Sequence, residues 1–314
     1  MRNSVVLRFM AAASLFVAAL AGAQGTNPQG QAVLTVLPKG GDGTPLAPGN
    51  LHIKVNGKPA EITALTAFHG SADPIELVIL IDGSARSSLG GQLSELVHFI
   101  RETPSGTRIA VAYMQNGQAL LATPLTDDPA QAERGVHLPA GSAGSSASPY
   151  FCLSDLAKHW PSNNPQARRE VLMITDGVDP YNQRLDPQDP YVQTAIDDAV
   201  RARLIVDSIY WTSRGSADST ASASYTGQSL LNIVSEETGG KSFWQGSGNP
   251  VDFDSYFVDL RHRLHNQYLL TFTAPLHGND KTAIASLDLK AIGATARIEA
   301  PKRVMLRPAR VAEK

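Results

Sequence analysis

The chain has 314 residues, with 27 Lys and Arg against 29 Asp and Glu, so its formal net charge at pH 7 is −2. This balance argues against a nucleic acid or an anionic membrane as the partner. The single cysteine, Cys152, excludes an intramolecular disulfide, so the fold must depend on its hydrophobic core. Cys152 lies in an apolar stretch, which favours a buried, inert thiol over a reactive one.

The first residues have the pattern of a secretory signal peptide. Arg2 and Arg8 lie near the start, Phe9 to Leu20 is apolar, and the small residues Ala21 to Ala23 fit a cleavage site. The apolar core is short for a membrane span, which argues against an uncleaved anchor. No later segment is long and apolar enough to cross a bilayer. We therefore predict that residues 1–23 are removed and that the protein is exported, either to the periplasm or out of the cell.

The segment 24–72 has the pattern of β-structure. Leu51 to Val55 alternates apolar and polar residues, as a half-buried strand does, and Glu61 to Ala67 has the pattern of the returning strand. Between them, Asn56-Gly57 is a strong hairpin signal. After residue 266 the chain turns to β-structure again. We expect the N-terminal segment and the C-terminal segment, 267–314, to form one small β appendage.

From residue 73 to residue 266 predicted strands and helices alternate. The predicted strands Ile75 to Ile81 and Arg169 to Thr175 contain the apolar runs LVILI and VLMI, which are typical of strands buried on both faces of a parallel sheet. An Asn116-Gly117 hairpin adds one antiparallel edge strand. The pattern predicts an α/β fold whose main domain, residues 73–266, is a doubly wound, mostly parallel sheet of six strands.

Both buried runs end in a carboxylate. Asp82 follows the first run, with Ser84 two residues later, and Asp176 follows the second. Open α/β sheets place their ligand sites beyond the carboxyl ends of the strands, so the two side chains are expected to meet there. The alternative is that Asp82 and Asp176 only cap the helices that follow.

These motifs carry a family resemblance. IDGSARS, followed some 90 residues later by ITDGVD, resembles a von Willebrand factor type A domain. The chain also resembles the secreted VWFA-related proteins of soil bacteria. This resemblance lies in the predicted strand pair VNGKPAEITAL near the start and in the segments SEETGGKSFW and LRHRLHNQYLLTF near the end. The resemblance covers about Gln31 to Leu306. It implies a Rossmann-like domain whose metal-ion-dependent adhesion site holds a divalent cation.

The resemblance assigns site residues by position. Asp82 matches the family's first carboxylate, Ser84 its first hydroxyl and Asp176 the closing carboxylate, so these three are the implied metal ligands. The next hydroxyl position departs from the family, because Arg86 stands where a serine is expected. The site is therefore a degenerate form of the family's adhesion site.

The departures leave two alternatives open. The family's middle-loop threonine has no clear match, and Ser148 or Tyr150 stands nearest. A Mg²⁺ or another divalent cation wants about six oxygen ligands, so water would have to complete a weak site. Otherwise the guanidinium of Arg86 pairs with Asp82 or Asp176 and takes the place of the cation, which leaves no cofactor.

Four aromatic residues follow strands or lie in loops on the side of the predicted site: Tyr150, Tyr181, Trp211 and Tyr225. Aromatic residues around a cleft often anchor a partner, although they also pack long loops. With no catalytic constellation in the chain, we expect a non-enzymatic binding module. It would mediate protein–protein contact or surface adhesion, with an unidentified protein or surface ligand as its partner.

Two other functions compete with this one. The first is a metal-free structural scaffold of an envelope assembly, in which Leu51 to Val55, as an edge strand of the β appendage, pairs with another chain. The second is a hydrolase that uses Ser84 near Asp176. The chain has no Gly-x-Ser-x-Gly motif and no histidine at a plausible third position, so this function is disfavoured.

Overall fold

The structure is a computed structural model and describes residues 28–38, 46–68, 73–85, 87–139, 147–182, 186–212, 221–246, 248–274, 283–292 and 296–307. The predicted signal peptide and Arg86 lie outside these ranges. Within them, no helix has the length and the apolar composition that a membrane span requires. The predicted domain boundaries stay a prediction.

The two ends of the described chain supply seven strands. They are β1 (Gln29–Pro38), β2 (Leu51–Val55), β3 (Lys58–Ala67), β10 (Gln267–Thr273), β11 (Ala283–Ala291), β12 (Ala296–Glu299) and β13 (Arg303–Arg307). All of their pairings are antiparallel. In the order β1, β10, β3, β2, β11, β13 they close into a barrel, because β1 pairs with both β10 and β13. β12 adds to β1 beside this ring.

The barrel has a hydrophobic core of its own. Leu34, Ile53, Phe272 and Leu306 are among the buried residues that fill it. Gly30 makes room for the largest of them, because a Cβ at this position would lie 2.3 Å from the ring of Phe272. The apolar residues of each alternating strand therefore face the interior of the barrel. Closure of the six-stranded ring also pairs both edges of each of its strands.

The middle of the chain forms a second sheet. Its strands are β4 (Ile75–Asp82), β5 (Thr107–Gln115), β6 (Gln118–Leu121), β7 (Arg168–Thr175), β8 (Leu204–Tyr210) and β9 (Ser242–Phe243). They lie in the order β6, β5, β4, β7, β8, β9, and the sheet is mixed because β6 runs antiparallel to β5. Every residue of the central strand β4 is buried, as its unbroken apolar run predicts.

Helices cover both faces of this sheet. They are α1 (Leu93–Arg101), α2 (Pro129–Glu133), α3 (Pro149–Lys158), α4 (Pro190–Ala202), α5 (Ala221–Thr238) and α6 (Asp254–His265). One core joins the sheet to α3, α4 and α5, and Val78, Leu153, Ile196 and Leu230 belong to it. A second core joins the other face to α1, α2 and α6.

The predicted fold class is wrong. We expected a doubly wound, mostly parallel sheet with a small β appendage, whereas the structure has a closed six-stranded antiparallel barrel beside a mixed sheet. The alternating patterns showed that each terminal strand has one buried face. They could not show which strands pair, because β1 meets β10 and β13 only across most of the length of the chain.

The prediction that Leu51 to Val55 is an edge strand is also wrong. β2 pairs with β3 on one side and with β11 on the other, so its backbone groups are already bonded. The proposal that Leu51 to Val55 accepts a strand from another chain therefore loses its basis.

The barrel lies against the end of the sheet at which the parallel strands begin. Arg168, the first residue of β7, donates through Nη1 to Oε1 of Gln267 in β10 at 2.5 Å. Gln267 in turn donates through Nε2 to Oε1 of Glu170 at 2.8 Å. β7 then runs away from the barrel, so the carboxyl ends of the parallel strands lie at the opposite end of the sheet.

Candidate functional site

The carboxyl ends of β4 and β7 lie side by side. The two strands are parallel neighbours, and their register pairs Ile81 with Ile174. Asp82 is the last residue of β4 and Thr175 the last residue of β7. The buried apolar runs before them fix both strand ends in the sheet, so the side chains at the ends have little freedom to move apart.

Asp82 is buried, and its carboxylate accepts hydrogen bonds from three groups of its own chain. Oδ1 accepts from the backbone N–H of Ser84 at 2.8 Å and from the Ser84 hydroxyl at 2.7 Å. Oδ2 accepts from the Thr175 hydroxyl at 2.7 Å. These bonds supply the donors that a buried carboxylate needs. They also connect the first strand to the second directly.

Asp176 follows Thr175 in the chain, and its carboxylate stabilises a turn instead of joining two strands. Its Oδ1 accepts from the backbone N–H of Val178 at 2.9 Å, which closes the turn after β7. Gly177 has a φ of +65° in this turn. Helix α5 approaches so closely that a Cβ on Gly227 would lie 2.0 Å from the carbonyl oxygen of Asp176. Gly227 is therefore required for the contact between the turn and α5.

Ser148 and Tyr150, the candidates nearest to the family's missing threonine, hold the start of α3 against this turn. Ser148 caps the helix by accepting from the N–H of Tyr150 at 3.2 Å. The Tyr150 hydroxyl donates to the carbonyl of Gly177 at 2.8 Å. Burial, together with the nearby charges of Asp179 and Asp176, raises the pKa of Tyr150 well above its ordinary value, so it stays a neutral donor.

Asp179 is a further buried carboxylate at this end of the sheet. Its Oδ1 accepts from the N–H of Tyr181 at 2.9 Å. Burial raises the pKa of Asp179, and the hydrogen bonds from Tyr181 and from the Ser148 hydroxyl oppose the rise. Asp179 thus ties the turn after β7 to the start of α3.

Cys152 lies beneath the site as a buried thiol. Burial and the charges of Asp82 and Asp155 raise its pKa to about 12, against hydrogen bonds with the backbone of Gln115 and Gly117. The thiolate is the nucleophilic form, so a thiol with this pKa is unreactive near neutral pH.

The four predicted partner-binding aromatic residues differ in exposure. Tyr150 is fully buried, and Trp211 is 3% exposed, with its ring edge-to-face against Phe253 at 5.4 Å. Tyr181 and Tyr225 are 57% and 64% exposed. Tyr225 belongs to the first turns of α5 rather than to a loop. Only Tyr181 and Tyr225 present their rings to solvent, whereas Tyr150 and Trp211 support the structure behind them.

We call this surface the loop face and define it by Asp82, Asp176, Asp179, Tyr181 and Tyr225. It combines a buried, hydrogen-bonded floor with exposed tyrosines at its margin. Exposed aromatic residues on a fixed support are typical of protein-contact surfaces.

The described residues offer only part of the ligand set that a divalent cation needs. A hard cation takes about six oxygen ligands, and carboxylates are the main ones that proteins provide. Here both oxygens of Asp82 accept bonds from their own chain, and the Ser84 hydroxyl donates its proton to one of them. In the part of the chain that the structure describes, no three His, Cys, Asp or Glu side chains group so as to hold a metal.

Comparison with known proteins finds likeness in structure alone. No protein-family model and no curated protein matches the chain. An aerotolerance-related membrane protein from Bacteroides fragilis is 13% identical, with a TM-score of 0.42 over 60% of this chain and 98% of that chain. The protein BatB from Bacteroides thetaiotaomicron is 13% identical, with a TM-score of 0.39 over 60% and 97%. Human COPII-coat protein Sec24c is 12% identical, with a TM-score of 0.41 over 75% and 44%.

At these values the similar structures assign neither a family nor an activity to the chain. The site must be judged from its own residues. Sequence reasoning missed Thr175, although ITDGVD contains it, because it was counted only as the end of a buried strand. Its proximity to Asp82 follows from the parallel register, in which the last residues of β4 and β7 are neighbours. Sequence reasoning also missed Phe151, whose ring stacks on that of Tyr181, and Tyr191, whose ring meets that of Phe151 edge-on.

Proposed function

We propose that the chain is an exported, non-enzymatic binding module of the von Willebrand factor A type, and that it contacts a protein or surface ligand through the loop face. The observation that carries the proposal is the arrangement of Asp82, Ser84 and Thr175, which joins two strand ends into a fixed floor with Tyr181 and Tyr225 exposed beside it. The motifs IDGSARS and ITDGVD, which supply these residues, support the family assignment.

We further propose that this contact needs no bound cation. The hydrogen bonds from Ser84 and Thr175 already stabilise the negative charge of Asp82. In the sequence, Arg86 stands where the resemblance leads us to expect a serine, so one hydroxyl ligand of the implied cation site is missing. A partner would then meet a preformed surface, and it would not have to complete the coordination of a metal ion.

Site-specific photo-crosslinking in producing cells tests the proposal while the partner is still unidentified. A photoreactive benzoyl-phenylalanine replaces Tyr181 or Tyr225 on the loop face. Matched control positions are Thr63 and Ile292, which are exposed on the barrel side of the molecule. Because a tyrosine-sized side chain is replaced by another aromatic one, the loop-face variants should fold normally.

We expect a discrete crosslinked product at the two tyrosine positions and none at the barrel positions. Products at the barrel positions alone would contradict the proposal and favour the alternative, a structural scaffold that assembles through the barrel. Turnover of ester or peptide substrates that depends on Ser84 would contradict the non-enzymatic assignment.

A further inference from the structure

Three aromatic side chains from separate segments meet at one margin of the loop face. The ring of Phe151, in α3, stacks on that of Tyr181 with centroids 5.3 Å apart and planes 28° apart. The ring of Tyr191, in α4, meets Phe151 edge-on at 4.9 Å and 87°. We call Phe151, Tyr181 and Tyr191 the aromatic platform. Tyr181 and Tyr191 are 57% and 49% exposed, so the platform offers ring surface to solvent.

Hydrogen bonds fix the backbone at both exposed tyrosines, and the rings of both pack against Phe151. The N–H of Tyr181 bonds to the carboxylate of Asp179 at 2.9 Å, and the N–H of Tyr191 bonds to that of Asp189 at 2.9 Å. Asp189 is also the N-cap of α4. A surface whose aromatic residues are already fixed loses little conformational entropy on binding, which is a property of contact residues rather than of slack loops.

The segment that carries Tyr181 and Tyr191 has a negative formal charge. From Asp179 to Tyr191 the sequence DPYNQRLDPQDPY contains three aspartates and one arginine. Asp186 and Asp189 both use Oδ1 to bond a backbone N–H two residues later. Aromatic rings carry negative potential on their faces, and carboxylates beside them add to it. The platform therefore complements a cation that has an apolar or planar body.

We infer that the aromatic platform binds an arginine side chain from a basic segment of the partner protein, an inference that rests on the proposed function of the loop face. Arginine fits better than lysine because its planar guanidinium stacks on a tyrosine ring while its N–H groups pair with a carboxylate. The rings of Tyr181 and Tyr191 supply the stacking surface, and Asp186 and Asp189 supply the acceptors.

The test uses the complete exported protein and a peptide probe of defined sequence. The probe is an acetylated and amidated (Gly-Ser-Arg)₃ peptide, and its control is the same peptide with citrulline in place of arginine. Citrulline keeps the planar shape and removes the charge. Binding is followed by the NMR shifts of the protein amides and tyrosine rings at low salt, since screening weakens exposed charge pairs.

Saturable shifts at Tyr181 and Tyr191 with the arginine peptide are expected, at an affinity at least about fivefold higher than for the citrulline peptide. Replacing both tyrosines by leucine should reduce the affinity by a similar factor, while Tyr225→Leu, an exposed tyrosine outside the platform, should not. The pair Asp186→Asn and Asp189→Asn should also weaken binding, and asparagine keeps the cap on α4.

Equal binding of both peptides, shifts confined to other residues, or unchanged binding by the double leucine variant would overturn the inference. A circular dichroism spectrum like that of the wild type ensures that a loss is not due to misfolding. The outcome is separable from that of the proposed function. Crosslinks at Tyr181 and Tyr225 without arginine-peptide binding would leave the loop face as the contact surface and reject this partner chemistry.

Discussion

At the residue scale, the carboxylate of Asp82 is the group on which the loop face depends. It is buried at the junction of two strands, and its three hydrogen bonds come from Ser84 and Thr175. A buried charge is tolerated only when such bonds replace water. The same bonds that make Asp82 stable therefore also fix the geometry of the loop face.

We predict that Thr175→Val destabilises the protein more than Thr175→Ser. Valine keeps the shape and removes the hydroxyl, so Oδ2 of Asp82 loses its donor in a buried site, at a cost of about 1–3 kcal/mol or more. Serine keeps the hydroxyl and loses one methyl group, worth about 1 kcal/mol. Urea unfolding of the wild type and of the two variants gives their free energies of unfolding. A valine variant as stable as the serine variant would show that the bond between Thr175 and Asp82 contributes little.

The sequence predicted these residues only in part. It located Asp82 and Asp176 at strand ends, because buried runs and the residues that stop them are local features. It could not tell which aromatic residues are exposed. The exposure of Trp211 depends on Phe253 and Ser88, whose hydroxyl accepts from the indole N–H at 3.3 Å, and both partners are far away in sequence.

At the element scale, β7 and β8 carry buried carboxylates, with Glu170 near the start of β7 and Asp207 in the middle of β8. Burial raises the pKa of Glu170 to about 8 and that of Asp207 to about 6, and the charge of Asp207 contributes to the shift of Glu170. Nε of Arg263 in α6 lies 3.8 Å from Oδ1 of Asp207, and its positive charge lowers the pKa of Asp207 against the effect of burial. No local pattern indicates this burial, since an acid at the start of a strand normally faces water.

These shifts predict that stability falls as the pH rises. Glu170 stays protonated in the folded state up to a pH of about 8, whereas the unfolded chain ionises near its ordinary value of 4.5. Between these values the unfolded state binds fewer protons, so unfolding becomes more favourable with rising pH. Glu170→Gln removes this dependence. Its stability relative to the wild type should increase from pH 5 to pH 8.

Urea unfolding at a series of pH values measures the effect, with the wild type as the reference in each buffer. Glutamine keeps an oxygen that can accept from Nε2 of Gln267, so the bond at 2.8 Å has a replacement. If the difference between variant and wild type is the same at pH 5 and pH 8, Glu170 is ionised in the folded protein and this explanation is incorrect.

At the scale of the whole molecule, a polar seam joins the barrel to the sheet. Arg168 donates to the carbonyl of Leu264 at 3.1 Å as well as to Gln267, and Arg263 pairs with Glu299 of β12. The barrel thus occupies the amino ends of the parallel strands and leaves their carboxyl ends for the loop face. Local patterns predicted individual strands such as β2, β3, β4 and β7. The closure of the barrel could not be predicted, because it depends on pairings between the two ends of the chain.

The central claim is that this carboxyl end is closed by its own hydrogen bonds and does not need a cation. Calorimetric titration of the wild type, Asp82→Asn and Arg86→Ser with Mg²⁺ and Mn²⁺ tests it most directly. We predict no saturable heat for the wild type or for Asp82→Asn, and none for Arg86→Ser, in which the hydrogen bonds from Ser84 and Thr175 to Asp82 are kept. Saturable binding by the wild type that is lost in Asp82→Asn would contradict the account and establish a working metal site.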